Sequence, residues 1–119
     1  MDTFGKERDV KLIVAIIRTY HLESVQAAVE RLNVTLTCVS EVLGGGREAE
    51  STLIYRDRVI NVRKPKYRVE MIVDEFQADA VVEAIRNVTR SGCPNDVSDA
   101  RVMVMHVDRF APCGFATAN

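Results

Sequence analysis

The apolar pattern of this chain predicts an α+β fold of order βαββαβ, a four-stranded antiparallel sheet with both helices packed on one of its faces. Three observations lead there. Two windows, one over His21–Leu32 and one beginning at Asp74, carry apolar residues at helical spacing. Four stretches rich in β-branched residues flank those windows in the order strand, helix, strand, strand, helix, strand. A length of 119 residues, 47% hydrophobic and 28% charged, suits one core and leaves no room for a second, so residues 1–119 are expected to form a single domain.

The first strand is expected over Val10–Arg18 (VKLIVAIIR), an apolar run continuous enough to be covered on both faces. The residues before it, 1–9, are polar and of mixed charge and are expected to form a flexible N-terminus. In His21–Leu32, Leu22, Val25, Ala28, Val29 and Leu32 fall on one helical face and Glu23, Gln26, Glu30 and Arg31 on the other, with Asn33 placed to close the helix. Val34–Leu43 (VTLTCVSEVL) reads as the second strand and runs into Gly44, Gly45 and Gly46. From Arg47 to Pro65 the chain is polar, with Leu53, Ile54, Val59, Ile60 and Val62 giving weak strand character, and a long mobile loop is expected. Loops of this length in small domains usually carry function, so this one is a candidate binding element.

Lys66–Val73 alternates Lys66, Arg68 and Glu70 with Tyr67, Val69 and Met71, the period of a half-buried third strand. Asp74 stands three positions before Gln77 as a variant capping box, and Phe76, Ala80, Val81, Ala84, Ile85 and Val88 predict the inner face of a second helix ending near Gly92. Ser91–Ala100 (SGCPNDVSDA) is rich in turn formers, and Arg101–Val107 (RVMVMHV) alternates as the fourth strand. These elements make a ferredoxin-like sheet. Its face away from the helices also carries apolar residues, so burial against further copies, as a cyclic homotrimer, is expected.

Composition excludes several function classes. With 16 basic against 17 acidic residues the formal net charge is -1, which gives no general attraction to nucleic acid or anionic membrane, and contact with a membrane is expected only through a protein partner. No apolar run is long enough to span a bilayer and the N-terminus is unlike a signal peptide, so a cytoplasmic protein is expected. Cys38, Cys93 and Cys113 lack the spacing of a zinc site, and no disulfide, resident metal or catalytic residue is expected. His21, His106 and Cys93 form no recognisable nucleophile, base and orienting set, so an enzyme is not expected.

LIVAIIR at Leu12–Arg18, VSEVLGGGR at Val39–Arg47, YR at Tyr55–Arg56, PK at Pro65–Lys66 and MIVDEFQADAVVEAIRNVTRSG at Met71–Gly92 resemble the PII signal-transduction proteins. The resemblance runs from about Val10 to Arg109. It implies a ferredoxin-like trimer that binds adenine nucleotides in clefts between subunits and turns occupancy into the conformation of a long T-loop, here residues 47–65. A B-loop over 92–100 and a C-terminal tail over 109–119 complete the implied cleft.

Carried over by position, the resemblance implies nucleotide contacts from Gly44, Gly45, Gly46 and Arg47, from Glu70, from Ser98, Asp99, Ala100 and Arg101, and from Arg109 in the tail. Glycines let backbone N–H groups approach phosphates, although three glycines also suit a tight strand exit without any ligand. Arg101 replaces a phosphate-binding lysine and keeps the charge in bidentate form. This chain departs from the family in four respects. The B-loop is two residues longer and has Ser98 and Ala100 where glycines are usual. The tail reads Phe110-Ala111-Pro112-Cys113-Gly114 and lacks the family's arginines, which ranks ADP and AMP ahead of ATP. Glu48 replaces a glutamine that helps hold magnesium and 2-oxoglutarate. A second carboxylate repels a dicarboxylate, so Glu48 with Lys66 points to a smaller second effector such as bicarbonate, with magnesium still permitted by Glu48. The loop tip, Arg58-Val59-Ile60, lacks the family's modified tyrosine.

These departures imply a divergent PII-like subgroup, of the kind associated with inorganic-carbon uptake and carboxysomes. Its protein target, a transporter or a metabolic enzyme, would be contacted through residues 47–65. Two other readings stay open on the residues alone: a trimer that only presents its loop to a partner, and a slow nucleotide hydrolase.

Overall fold

A computed structural model describes residues 9–43, 50–55, 58–90 and 100–110, with 50–55 and 58–63 described by their backbone alone. The elements are β1 (Val10–Arg18), α1 (Leu22–Glu30), β2 (Cys38–Leu43), β3 (Glu50–Tyr55), β4 (Arg58–Arg63), β5 (Pro65–Asp74), α2 (Ala78–Val88) and β6 (Arg101–Val107). Four strands make one antiparallel sheet in the order β2-β5-β1-β6, and β3 pairs with β4 in a separate two-stranded sheet. Apart from that inserted hairpin, this is the ferredoxin-like βαββαβ arrangement the periodicity predicts.

β1 is an interior strand, paired on one side with β5 and on the other with β6. Ile13, Ala15 and Ile17 face the helices together with Val69, Met71 and Val73 of β5. Val25 and Val29 of α1, Val34, and Ala78, Val81 and Ile85 of α2 close the same core. Each fully buried valine, isoleucine or methionine among them contributes about 1.5–3 kcal/mol. The exposed Glu83–Arg86 pair, at 3.7 Å, contributes at most about 0.5 kcal/mol. Core packing therefore sets the stability.

The end of α1 departs from expectation in an instructive way. Asn33 has φ 62, Asn33 N–H donates to the Glu30 carbonyl and Val34 N–H donates to the Val29 carbonyl. That bond pair with a left-handed residue is a Schellman turn. It uses the Val34 amide and drops its side chain into the core at 4% exposed, so Val34 belongs to the helix exit. The second strand was expected from Val34. Ladder pairing instead approaches through Thr37, whose N–H donates to the Glu70 carbonyl, and β2 spans Cys38–Leu43.

α2 shows two further differences. Asp74 makes no side-chain cap to the 3-10 turn Glu75–Gln77 that precedes the helix, and Gln77 Nε2 donates to the Leu32 carbonyl, tying the start of α2 to the end of α1. The expected capping box is therefore replaced by a tertiary hydrogen bond. Phe76, placed by periodicity on the inner face, is 83% exposed, and Ala80 is exposed too; the inner face is set by Ala78, Val81 and Ile85. Phe76 lies in the tighter 3-10 turn, where the 3.6-residue phase does not apply. The helix ends at Val88, ahead of the expected Gly92, because Thr89 leaves helical geometry and donates its buried hydroxyl to the Ile85 carbonyl.

Residues 47–65 were expected to be a loop. Their described part is the β3–β4 hairpin, with partners from Glu50 opposite Arg63 to Tyr55 opposite Arg58. The scattered Leu53, Ile54, Val59, Ile60 and Val62 fall within paired strands, so the weak β pattern carries real pairing. No helix among the described residues is long and apolar enough to cross a membrane.

Candidate functional site

The antiparallel register brings a set of charged residues to the end of the sheet where β1 stops and β5 and β6 start. Lys66 stands opposite Arg18 on β1 and opposite Val42 on β2. Arg68 stands opposite Ile16, and Ile16 on its other side pairs with Arg101, so Arg68 and Arg101 flank one β1 position. Glu70 follows two residues on, between Val14 and Cys38. Because side chains alternate along a strand and paired residues share a face, Arg18, Lys66, Arg68, Glu70 and Arg101 lie on the sheet face away from the helices.

Within this set Arg68 Nε donates to Glu70 Oε2 at 2.9 Å, with the two side chains 45% and 27% exposed. Water screens a pair this accessible, and its value is positional: it holds one oxygen of Glu70 in place. Lys66 is 6% exposed and has no ion pair or hydrogen bond among the described residues. Its long apolar stem accounts for much of that burial, as lysine covers apolar surface with its methylenes.

Of the residues assigned from the sequence, Lys66, Glu70 and Arg101 are brought together on this face, and Ala100 immediately precedes β6. Gly44, Gly45, Gly46, Arg47, Glu48, Ser98 and Asp99 lie outside the described residues. They continue from Leu43, the end of β2, and lead into Ala100. Arg109 follows β6 at its other end, where Val107 pairs with Val10. Val107 lies six steps of extended strand beyond Arg101, roughly 20 Å, so within one chain Arg109 stands away from the Arg101 end.

Sequence reasoning missed Arg18 and Arg68. Nothing in their local pattern marks them, since one ends an apolar run and the other is one of several alternating charges. Only the pairing of β1 with β5 aligns Arg18 with Lys66.

The histidines considered for catalysis stand far apart. His21 leads into α1 beyond the end of β1, its Nδ1 buried without a hydrogen-bond partner and its ring 4.5 Å from that of Tyr20. His106 pairs with Lys11 near the start of β1. Cys38 is free and exposed on β2, while Cys93 and Cys113 lie outside the described residues. Among the described residues no group of His, Cys, Asp and Glu side chains is placed to hold a metal ion.

Comparison with known proteins agrees with the fold and with the resemblance read from the motifs. The family described as nitrogen regulatory protein P-II matches residues 10–111. The nitrogen regulatory protein P-II of Rhizobium meliloti is 33% identical over 101 residues, covering 83% of this chain and 87% of that protein. In three dimensions the chain resembles the GlnK–ATP complex of B. subtilis, with a TM-score of 0.61 at 19% identity over 84% of this chain and 85% of that one. It also resembles Arabidopsis thaliana PII bound to citrate, with a TM-score of 0.59 at 22% identity over 85% and 77% of the two chains. At these identities the structural likenesses speak for the fold. The family match over nearly the whole chain goes further: the protein belongs to the nitrogen regulatory protein P-II family, a family of regulators.

Proposed function

We propose that this chain is a PII-like cytoplasmic regulator that binds an adenine nucleotide, ADP or AMP ahead of ATP, in clefts between the subunits of a homotrimer. Occupancy is passed through residues 47–65 to a protein target, a transporter or a metabolic enzyme. The observation that carries this reading is the convergence of Lys66, Arg18, Arg68 and Arg101 at one end of the open sheet face. That end adjoins both Leu43, which leads into the three glycines, and the strand start to which the B-loop leads. Cations gathered at one end of a sheet, next in sequence to three glycines that would let backbone N–H groups approach, fit phosphate. The ATP held by the B. subtilis relative supports a nucleotide here.

The homotrimer is supported by the open face itself. Leu12 and Ile16 of β1 share it, half-buried, with Ile72 of β5 and with Met103 and Met105 of β6, and the two methionines are 47% and 40% exposed. No helix among the described residues covers them, and further copies would. A small anion such as bicarbonate is the proposed second effector, received by Lys66 with Arg18 across the ladder and discriminated against dicarboxylates by Glu48. A link to inorganic-carbon metabolism follows from that choice of effector. The trimeric interaction module without a ligand is the competing reading.

Calorimetric titration with ATP, ADP and AMP, with and without magnesium, 2-oxoglutarate or bicarbonate, tests this. ADP or AMP is expected to bind more tightly than ATP, bicarbonate to alter that affinity, and Arg101→Ala to weaken it at least tenfold, the loss of about 1.4 kcal/mol from one charge-assisted contact. Absence of heat with every nucleotide, together with an unchanged melting temperature, would leave the loop-presenting module.

A further inference from the structure

The end of the sheet away from residues 47–65 carries a surface of its own. β5 runs from Pro65, where that segment returns, to Asp74, and its ten residues of strand set the two ends roughly 30 Å apart. At the Asp74 end an open groove of about 600 Å³ is lined by Asp9, Asp74, Glu75 and Phe76. A crevice of about 240 Å³ shares Asp74 with it and has Val34, Val73 and Phe110 among its walls. Two hydrogen bonds fix this platform on either side of Phe76: Glu75 N–H donates to the Asp9 carbonyl at 2.9 Å, and Gln77 Nε2 donates to the Leu32 carbonyl at 2.9 Å. On it Phe76 is 83% exposed, more than any other large apolar side chain among the described residues. Asp74 is half-buried and already engaged within the chain. Asp9, Glu75 and, in the first turn of α2, Asp79 are exposed and have no ion pair among the described residues.

A surface laid over Phe76 gains in proportion to the apolar area it removes from water. The same surface takes water from Asp9 and Glu75, and a carboxylate that loses water needs an opposite charge in return. A purely apolar partner fails that second condition, and nucleic acid or an anionic lipid surface is repelled. A guanidinium meets both, because its planar cation stacks on an aromatic face while its fork of N–H donors engages a carboxylate. We propose that this groove is a second docking surface, which receives an arginine-bearing segment of a partner protein with the guanidinium stacked on Phe76 and paired with Glu75 or Asp9. Apolar side chains of the same segment enter the crevice beside Phe110. The surface shares no residue with the basic end of the sheet, so it stands or falls apart from the nucleotide reading.

The experiment is fluorescence anisotropy of a short labelled peptide alternating arginine with leucine, titrated with the full chain, beside the same peptide with lysine or with glutamate in place of arginine. The arginine peptide is expected to bind more tightly than the lysine peptide, and the glutamate peptide not to bind. Phe76→Ser is expected to weaken arginine-peptide binding about fivefold, the loss of one stacked cation. Glu75→Lys is expected to weaken it at least about tenfold by setting like charges together. Glu23→Gln, which removes an exposed carboxylate at the start of α1, is expected to leave it unchanged and so excludes a general attraction to acidic surface. Circular dichroism of each variant separates lost binding from lost folding. No anisotropy change with the arginine peptide, or equal binding by the Phe76→Ser chain, overturns the proposal. Binding that appears only when Lys6→Gln and Arg8→Gln are introduced together assigns the groove to the chain's own first residues, and a sedimenting mass that falls in Phe76→Ser assigns it to a second copy; either result overturns the partner segment.

Discussion

Asn33 and Lys66 show how single residues here are chosen by the backbone or by the site. Asn33 sits at φ 62, in the left-handed region that β-branched residues resist and that asparagine and glycine tolerate. Asn33→Val is expected to lower the free energy of unfolding by about 1–2 kcal/mol in urea denaturation, and Asn33→Gly to lower it by less. Equal losses in the two variants would show that the left-handed turn is not what holds this position. Lys66 is the opposite case. No backbone feature requires a lysine there, and an apolar residue of similar volume would fill the same largely buried position. In the proposed function its reason is the anion it would receive. Glu70 is intermediate, a charged residue whose carboxylate is set by Arg68 two positions earlier on the same strand face.

At the scale of elements, helix phase is decided by contact with the sheet. α2 presents Ala78, Val81 and Ile85 to the core, while Phe76, one turn earlier, is 83% exposed because the 3-10 turn rotates it out of phase. Ile85→Ala is expected to cost about 2–5 kcal/mol by the same denaturation measurement, and Phe76→Ser less than about 0.5 kcal/mol, despite the greater size of phenylalanine. A large effect at Phe76 would mean that another surface covers it. Helix joins are tertiary as well. The Schellman turn after α1 exposes the Leu32 carbonyl, and Gln77 at the start of α2 caps it, so the exit of one helix and the entry of the other are fixed together.

For the whole molecule, the sheet order β2-β5-β1-β6 puts the most apolar strand in an interior position, and no helix among the described residues packs on its second face. If copies cover that face, folding and assembly share one equilibrium, and the melting temperature rises with protein concentration. Met103→Lys, at an exposed position on β6 opposite Val14, is expected to leave far-UV circular dichroism unchanged while reducing the mass measured by light scattering to that of one chain. Equal mass for both proteins would move the subunit contact elsewhere.

Much of this was legible in the sequence, where the signal was local. Period-two alternation placed Arg101–Val107 and nearly all of Pro65–Asp74, and helical spacing placed both helices, because burial on one face writes its own period into the chain. The motifs around Gly44–Gly46 and Met71–Gly92 were enough to indicate the family. Other features were decided only by tertiary structure. The pairing of β3 with β4 drew strands from residues whose local β signal was weak. The Val29–Val34 hydrogen bond turned a strand-like valine into a helix exit. The basic end of the sheet needed the antiparallel register, since Arg18 and Lys66 are far apart in sequence and become neighbours only when β1 lies against β5. Local periodicity reports which face of an element is buried; which residues meet across elements depends on register, and register is a property of the assembled sheet.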